Sequence, residues 1–178
     1  MDTSLKIGLV YGSARPGRFC DTIADWVAER VQEYGRFALD LIDPAAHDQA
    51  EQVRRIAEAD AFIVVTPEYN HSFAAPLKAL IDGASREWHA KPVAFVSYGG
   101  VSGGLRAVEH LRGVFAELHA VGLRDTVSFA HAWAQFEEGR LRHSELPEAA
   151  MATQLARLEW WAQALRDARL ARAYGAAA

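Results

Sequence analysis

The sequence predicts an α/β domain, a parallel sheet of five strands with helices on both faces. Two observations carry that prediction. Short apolar runs alternate with longer segments whose apolar residues recur at helical spacing, the pattern of repeated β-α units. One run, Ala61-Phe62-Ile63-Val64-Val65, is continuously apolar and rich in β-branched residues, as expected of a strand covered on both sides. With 178 residues, 51% hydrophobic and 24% charged, the chain suits one domain with a sizeable core and is short for two.

The elements follow in order. Leu5 to Tyr11 reads as a buried strand ended by Gly12-Ser13. From Phe19 to Tyr34, Ile23, Val27 and Val31 make one apolar helix face, and Gly35 supplies the stop. Phe37 to Ile42 is a second strand closed by Asp43-Pro44, and Gln49 to Glu58 a polar helix with Val53 and Ile56 as core residues. Ala61 to Val65 is the third strand, ended by Pro67; a helix from Pro76 to Ala84 comes next, then a fourth strand from Pro92 to Tyr98. Leu105 to His119 is helical, with Val108, Leu111 and Phe115 on one face, and Val121 to Phe129 is the fifth strand. Met151, Leu155, Leu158, Ala162 and Leu165 stripe a last helix. Ala130 to Leu146 is the least regular stretch, read as a functional loop or a partner surface, and the tail from Gly175 to Ala178 is expected to fray. No repeat or low-complexity linker interrupts the pattern, so residues 1–178 read as a single domain.

Charge and composition exclude several classes. Nineteen basic and 23 acidic residues leave a net charge of −4, which argues against a general electrostatic role on nucleic acid. A single cysteine, Cys20, excludes an internal disulfide and a Cys-rich metal site, and no metal site is expected. No apolar run reaches membrane-spanning length. Met1 to Lys6 runs into the first strand without the pattern of a signal peptide. The expectation is a cytoplasmic protein with no nucleic-acid or membrane partner.

In an open α/β sheet, ligands bind beyond the carboxyl ends of the strands. Three unusual loops should meet there. The first, Gly12-Ser13-Ala14-Arg15-Pro16-Gly17-Arg18-Phe19-Cys20, combines a hydroxyl, two guanidinium groups and the free N–H groups of a helix start, which together suit a phosphate. Gly12 and Gly17 have P-loop spacing, but Arg18 and Phe19 replace the Lys and Ser/Thr, so phosphoryl transfer is poorly supported. The G-x-G-x-x-G dinucleotide fingerprint is absent, although Asp40 and Asp43 leave a variant NAD site open. The plainer alternative is a turn with two solvated arginines. The second loop, Thr66-Pro67-Glu68-Tyr69-Asn70-His71-Ser72, sets an aromatic, a carboxylate, an amide and an imidazole at one strand end; it suits a planar heteroaromatic ring, or is a Pro-initiated turn. The third, Ser97-Tyr98-Gly99-Gly100-Val101-Ser102-Gly103-Gly104, lets backbone amides approach a flat ligand, or is a flexible loop. Trp88, Trp133 and Phe136 lie in irregular segments and read as pocket residues or, more simply, as core or interface anchors.

These residues bring a resemblance into view. Gly12-Ser13-x-Arg15-x-Gly17, Pro67-Glu68-Tyr69-Asn70-His71-Ser72 with Pro76-Leu77-Lys78 and Ile81-Asp82, and Ser97-Tyr98-Gly99-Gly100-Val101-Ser102-Gly103-Gly104-x-Arg106-Ala107 resemble the NADPH-dependent FMN reductase family. That flavodoxin-like family also includes quinone, azo-dye and chromate reductases. The resemblance covers residues 5–128 and implies a three-layer sandwich with strand order 2-1-3-4-5 and FMN at the strand ends. It implies that Ser13, Arg15 and the Arg18-Phe19-Cys20 backbone hold the phosphate, that Pro67, Glu68, Tyr69, Asn70 and His71 border the isoalloxazine ring, and that Ser97, Tyr98, Gly99 and Gly100 meet its pyrimidine edge. Arg18-Phe19-Cys20 departs from the Ser, then Phe-Asn of many relatives, offering a guanidinium in place of a hydroxyl and losing one amide contact.

The function that the resemblance implies is NAD(P)H oxidation through FMN, with electrons passed to flavin, quinone or a similar small acceptor, in a homodimer or homotetramer. The flavin carries the hard chemistry, so no side chain is nominated as catalytic. Two rivals stay open: a non-enzymatic flavodoxin-like electron carrier or flavin sensor, and a flavin-free dehydrogenase resting on Gly17 and Asp40. A serine hydrolase has little support, since neither Ser13 nor Ser102 sits in G-x-S-x-G. The place of Cys20 at a helix start suggests a lowered thiol pKa.

Overall fold

Two central strands, β1 (Leu5–Tyr11) and β3 (Ala61–Pro67), organise the molecule, which is described for residues 4–175 in a computed structural model. Every residue of β3 is buried, the burial that its continuous apolar run foretold. β1 pairs with β2 (Phe37–Ile42) on one side and with β3 on the other; β3 pairs with β4 (Pro92–Gly99), and β4 with β5 (Val121–Ala130). All four pairings are parallel, and the order is β2-β1-β3-β4-β5, as the family resemblance implied. The register sets Thr66 beside Ser97 and Pro67 beside Tyr98, so the ends of β3 and β4 lie level.

Helices cover both faces, giving three layers. α1 (Cys20–Tyr34) and α6 (Glu145–Ala171) pack on one face around Ile7, Leu9, Ile63 and Val96. α2 (Gln49–Glu58), α3 (Ala75–Asp82) and α4 (Leu105–Glu117) cover the other around Val10, Phe62, Val64 and Phe95. Two helix boundaries have a plain local cause. α1 ends at Gly35, which is left-handed at φ 68°. The Asp48 side chain caps α2 by accepting from the Glu51 N–H at 2.9 Å.

The expected elements are all present, with ends that shift by a few residues. The third strand continues through Thr66 and Pro67, because both still pair with β4. The stretch from Ala130 to Leu146 is more ordered than its sequence suggests. It holds a one-turn helix, α5 (Ala132–Gln135), and a small hairpin of β6 (Phe136–Glu137) and β7 (Arg140–Leu141). Phe136 anchors it, packed edge-on against Phe129 and Phe19 at 5.3 and 5.8 Å between ring centroids. Phe136 and Trp88 are thus core residues, whereas Trp133 is 60% exposed. The fraying expected at Ala176 to Ala178, and Met1 to Thr3 of the segment read for a signal peptide, lie outside the described residues. Among the described residues no helix is long and apolar enough to cross a membrane.

Candidate functional site

The first loop leaves β1 pressed against the end of β3. The Gly12 N–H donates to the Val65 carbonyl at 2.7 Å, and a Cβ at Gly12 would collide with that carbonyl and with Thr66 Cα. Only glycine fits there. Ser13 is buried; its Oγ shares a hydrogen bond with the Tyr69 hydroxyl at 3.1 Å and accepts from the Arg15 N–H at 3.4 Å. The loop then climbs to α1, whose N-cap position, Phe19, supplies no side-chain acceptor. Among the described residues, the backbone N–H groups of Ala14, Gly17, Arg18, Phe19 and Cys20 meet no acceptor. Donors without acceptors around one helix N-terminus, where the helix dipole is positive, suit an anion.

The two arginines of this loop divide. Arg15 is exposed, with its guanidinium carbon 4.5 Å from the centroid of the Tyr69 ring. Arg18 is engaged within the protein. It donates to both carboxylate oxygens of Asp43, at 2.8 and 2.5 Å, to Asp21 at 2.7 Å and to the Ser13 carbonyl. Burial pulls the Asp43 carboxyl upward, but the hydrogen bonds from Arg18 and the Ala45 N–H, together with the Arg18 charge, outweigh it and hold the carboxyl below its ordinary range. The guanidinium of Arg18 therefore shapes the loop, while its backbone N–H meets no acceptor among the described residues. Asp40, the other acid weighed for a nicotinamide site, pairs with Arg55 and Lys6.

Cys20 corrects a further expectation. Its side chain is wholly buried, 3.8 Å from the Val65 carbonyl. Burial pushes the thiol up to about 11, against the smaller downward effects of hydrogen bonding and Arg18. The proximity of a helix start does not offset desolvation.

The second turn follows β3. Tyr69 and Ser72 exchange two backbone hydrogen bonds, at 2.8 and 3.1 Å, around Asn70 and His71, both left-handed at φ 49° and 76°. This two-residue hairpin turn stands Tyr69 over the first loop and leaves Asn70 and His71 exposed. The Ser72 hydroxyl bonds His110 Nδ1 on α4 at 2.9 Å.

The third loop continues β4. Ser97 is buried, and its Oγ has no hydrogen-bond partner. Gly104, at φ 82°, starts α4, and a Cβ there would lie 2.8 Å from the Tyr98 carbonyl. The loop is tied on both flanks: Ser128 Oγ donates to the Gly103 carbonyl and the His131 N–H to the Gly100 carbonyl, each at 2.9 Å. The N–H groups of Gly100, Val101 and Ser102 meet no acceptor among the described residues.

Glu68 joins the second turn to the third loop. Its Oε2 accepts from Ser102 Oγ at 2.7 Å and from the Arg106 N–H at 3.2 Å, and its Oε1 accepts from Arg106 Nη1 at 2.8 Å. Burial raises its carboxyl, but these hydrogen bonds outweigh it and the net displacement is downward. Sequence reasoning names Glu68 as a ring-side residue and misses this bridge. The partners lie 34 and 38 positions away, and only the level ends of β3 and β4 bring them together.

All fourteen expected residues therefore lie at one edge, in three loops that touch one another. Their chemistry fits a flavin mononucleotide. Free amides and an exposed arginine suit the phosphate, a tyrosine ring suits a flat partner, and open amides beyond β4 suit a polar ring edge. Among the described residues no group of three His, Cys, Asp or Glu side chains is set to hold a metal.

Comparison with known proteins agrees. Residues 5–134 match the family model for NADPH-dependent FMN reductases. An NAD(P)H-dependent FMN reductase of Schizosaccharomyces pombe is 35% identical over 121 residues, 56% of this chain and 60% of its own length. A 2-hydroxy-1,4-benzoquinone reductase of a Burkholderia species is 35% identical over 137 residues, 66% of this chain and 74% of that one. The match to the yeast protein thus spans less than two thirds of it. In three dimensions the chain is similar to a flavoenzyme NAD(P)H:(acceptor) oxidoreductase from Paracoccus denitrificans, with TM-score 0.73 over 89% of this chain and 98% of that one; at 21% identity this likeness concerns the fold.

Proposed function

The chain belongs to the NADPH-dependent FMN reductase family, and from that premise we propose that it is an FMN-dependent oxidoreductase that passes electrons from NAD(P)H to a flavin, a quinone or a similar small acceptor. The observation that carries the reading is the cluster of backbone N–H groups of Ala14, Gly17, Arg18, Phe19 and Cys20 that meet no acceptor among the described residues, beside exposed Arg15. Five such donors gathered at one helix start, where the helix dipole is positive, suit a phosphate. Bound FMN supplies the redox chemistry, accepting hydride from reduced nicotinamide and releasing electrons to the acceptor.

The chain's own residues bind and orient. The amides of Ala14, Gly17, Arg18, Phe19 and Cys20 hold the phosphate, and Arg15 adds a charged donor. Ser13 Oγ, fixed between Tyr69 and the Arg15 N–H, presents its remaining hydrogen-bonding capacity to the same anion. Tyr69, Asn70 and His71 border the flat ring, and Gly99 and Gly100 let the backbone approach its polar edge. Pro67, Ser97 and Tyr98 act from beneath, as the paired strand ends on which the two loops stand. No acid–base pair is required of them.

The similar proteins are named as reductases, which favours an enzyme over a passive electron carrier. The chain works in the cytoplasm as a homodimer or homotetramer; exposed Val101, Leu105 and Trp133, all in segments of the strand-end edge, support a subunit contact there. A visible spectrum of the purified protein with FMN, before and after NADPH, tests the function. A bound-flavin band that bleaches with NADPH and returns with quinone is expected. A protein that binds no FMN and does not oxidise NADPH refutes the reading.

A further inference from the structure

Glu68 is placed unlike its neighbours at the strand-end edge. Asn70 and His71 point to solvent and Tyr69 leans on the first loop, but the Glu68 side chain is only 9% exposed and its carboxylate accepts three hydrogen bonds from the opposite wall. The partners are the hydroxyl of Ser102 and both the backbone N–H and the guanidinium of Arg106, at the start of α4. Its Cβ also lies 3.7 Å, ordinary contact distance, from where a Cβ of Gly99 would stand, so the two walls come close together there. One carboxylate thus sets the separation of the turn after β3 from the loop after β4. The pair is asymmetric: the negative group is inside, whereas the Arg106 side chain is 46% exposed.

We propose that Glu68 and Arg106 form a charge-balanced clamp that fixes the width of the flavin-ring slot and tunes the electron affinity of the ring. The proposal rests on the FMN reading above and deepens it. Two consequences follow from the geometry. Removing all three hydrogen bonds frees both walls and weakens binding in either redox state. Removing one charge of the pair leaves the other unbalanced at the slot, poorly screened for the enclosed Glu68 carboxylate and more strongly screened for the half-exposed Arg106 guanidinium. An unpaired carboxylate opposes added electrons, and an unpaired guanidinium favours them. The two single-charge variants must therefore move the potential in opposite directions, which loss of packing alone does not do.

The experiment uses the FMN-loaded protein, measuring FMN dissociation constants and midpoint potentials for wild type, Glu68→Ala, Glu68→Gln and Arg106→Met, with amide exchange over residues 99–106. Glu68→Ala is expected to weaken FMN binding about tenfold and to speed exchange in the glycine loop. Glu68→Gln, which keeps an acceptor for Ser102 and the Arg106 N–H, restores most of the affinity and favours reduced over oxidised FMN about tenfold, a rise of about 30 mV for a two-electron couple. Arg106→Met shifts the potential the other way. Equal shifts of one sign, or no shift in either, overturn the proposal. If Glu68→Ala does not fold, Ser102→Ala and Arg106→Met carry the exchange test, and unchanged exchange in both overturns the clamp. A wild type that binds no FMN overturns the functional reading instead, and exchange in the flavin-free protein still decides whether the clamp exists.

Discussion

The two ends of the sheet both carry buried or crowded cations, and they use them in opposite ways. At the amino end, the Lys91 ammonium is buried and donates to the Ile56 and Ala57 carbonyls at 2.8 Å each, closing the end of α2. Burial, helped by Arg169, pushes it down to about 8. Arg169 donates to the Ala90 carbonyl at 2.6 Å and pairs with Asp60. Every one of those donors is committed to the fold. At the carboxyl end the amides of Ala14, Gly17, Arg18, Phe19 and Cys20 in the first loop and of Gly100, Val101 and Ser102 in the third meet no acceptor among the described residues, and Arg15 stands exposed. A binding edge is distinguished by what it leaves unbonded rather than by how much charge it holds, because a native fold seldom leaves donors idle.

The same contrast runs between neighbours within the first loop, and it can be broken by experiment. The largest expected effect is at Cys20, which is committed to the core although it begins α1. With its thiol raised from an ordinary 9.0 to about 11, alkylation of the folded protein near pH 8 should be at least about a hundredfold slower than that of the unfolded chain. A native rate equal to the unfolded one would place the thiol among the free groups. Next comes Arg18→Ala, which strands the partly buried Asp43 carboxylate and should lower stability by about 2–3 kcal/mol in urea unfolding. Arg15→Ala should stay within about 0.5 kcal/mol of wild type. The order reverses for ligand: Arg15→Ala should cost about tenfold in FMN affinity, or about 1.4 kcal/mol, measured by fluorescence titration. Equal stability losses in the two variants would erase the distinction between them.

The smallest effect is a pH dependence. The folded-state pKa of Asp43 lies below its ordinary value of 3.8, so its contribution to stability is complete above that value and disappears as pH falls through the lowered one. Asp43→Asn should therefore flatten the acid limb of the stability curve below about pH 4 by less than about 1 kcal/mol. An acid limb unchanged by that substitution would show that Arg18 does not depend on Asp43.

The architecture was legible because its signals are local and periodic. A continuous apolar run became β3, helical stripes became α1, α4 and α6, and Gly35 and Pro67 marked ends. The composition of three loops likewise pointed to one edge. What could not be read was which side chain meets which. Arg15 and Arg18 look alike in sequence, and only β2 bringing Asp43 alongside the first loop tells the free one from the bound one. Glu68 finds Arg106 only through the register of β3 with β4. Cys20 looks reactive from its place at a helix start, but it is buried in the core beside the Val65 carbonyl, which favours the neutral thiol. Phe136 was in an irregular stretch whose order depends on Phe19 and Phe129, contacts that no local pattern encodes.

Whether the free amides of the first loop hold a phosphate decides the role of the whole edge. Parallel titrations of the wild-type protein with FMN and with riboflavin, which has the same ring and no phosphate, test that directly. Charge-assisted contacts to the phosphate, net of its desolvation, predict FMN binding at least about a hundredfold tighter, some 2.7 kcal/mol. Equal affinities for the two flavins would contradict the phosphate assignment and with it the reading of the whole edge.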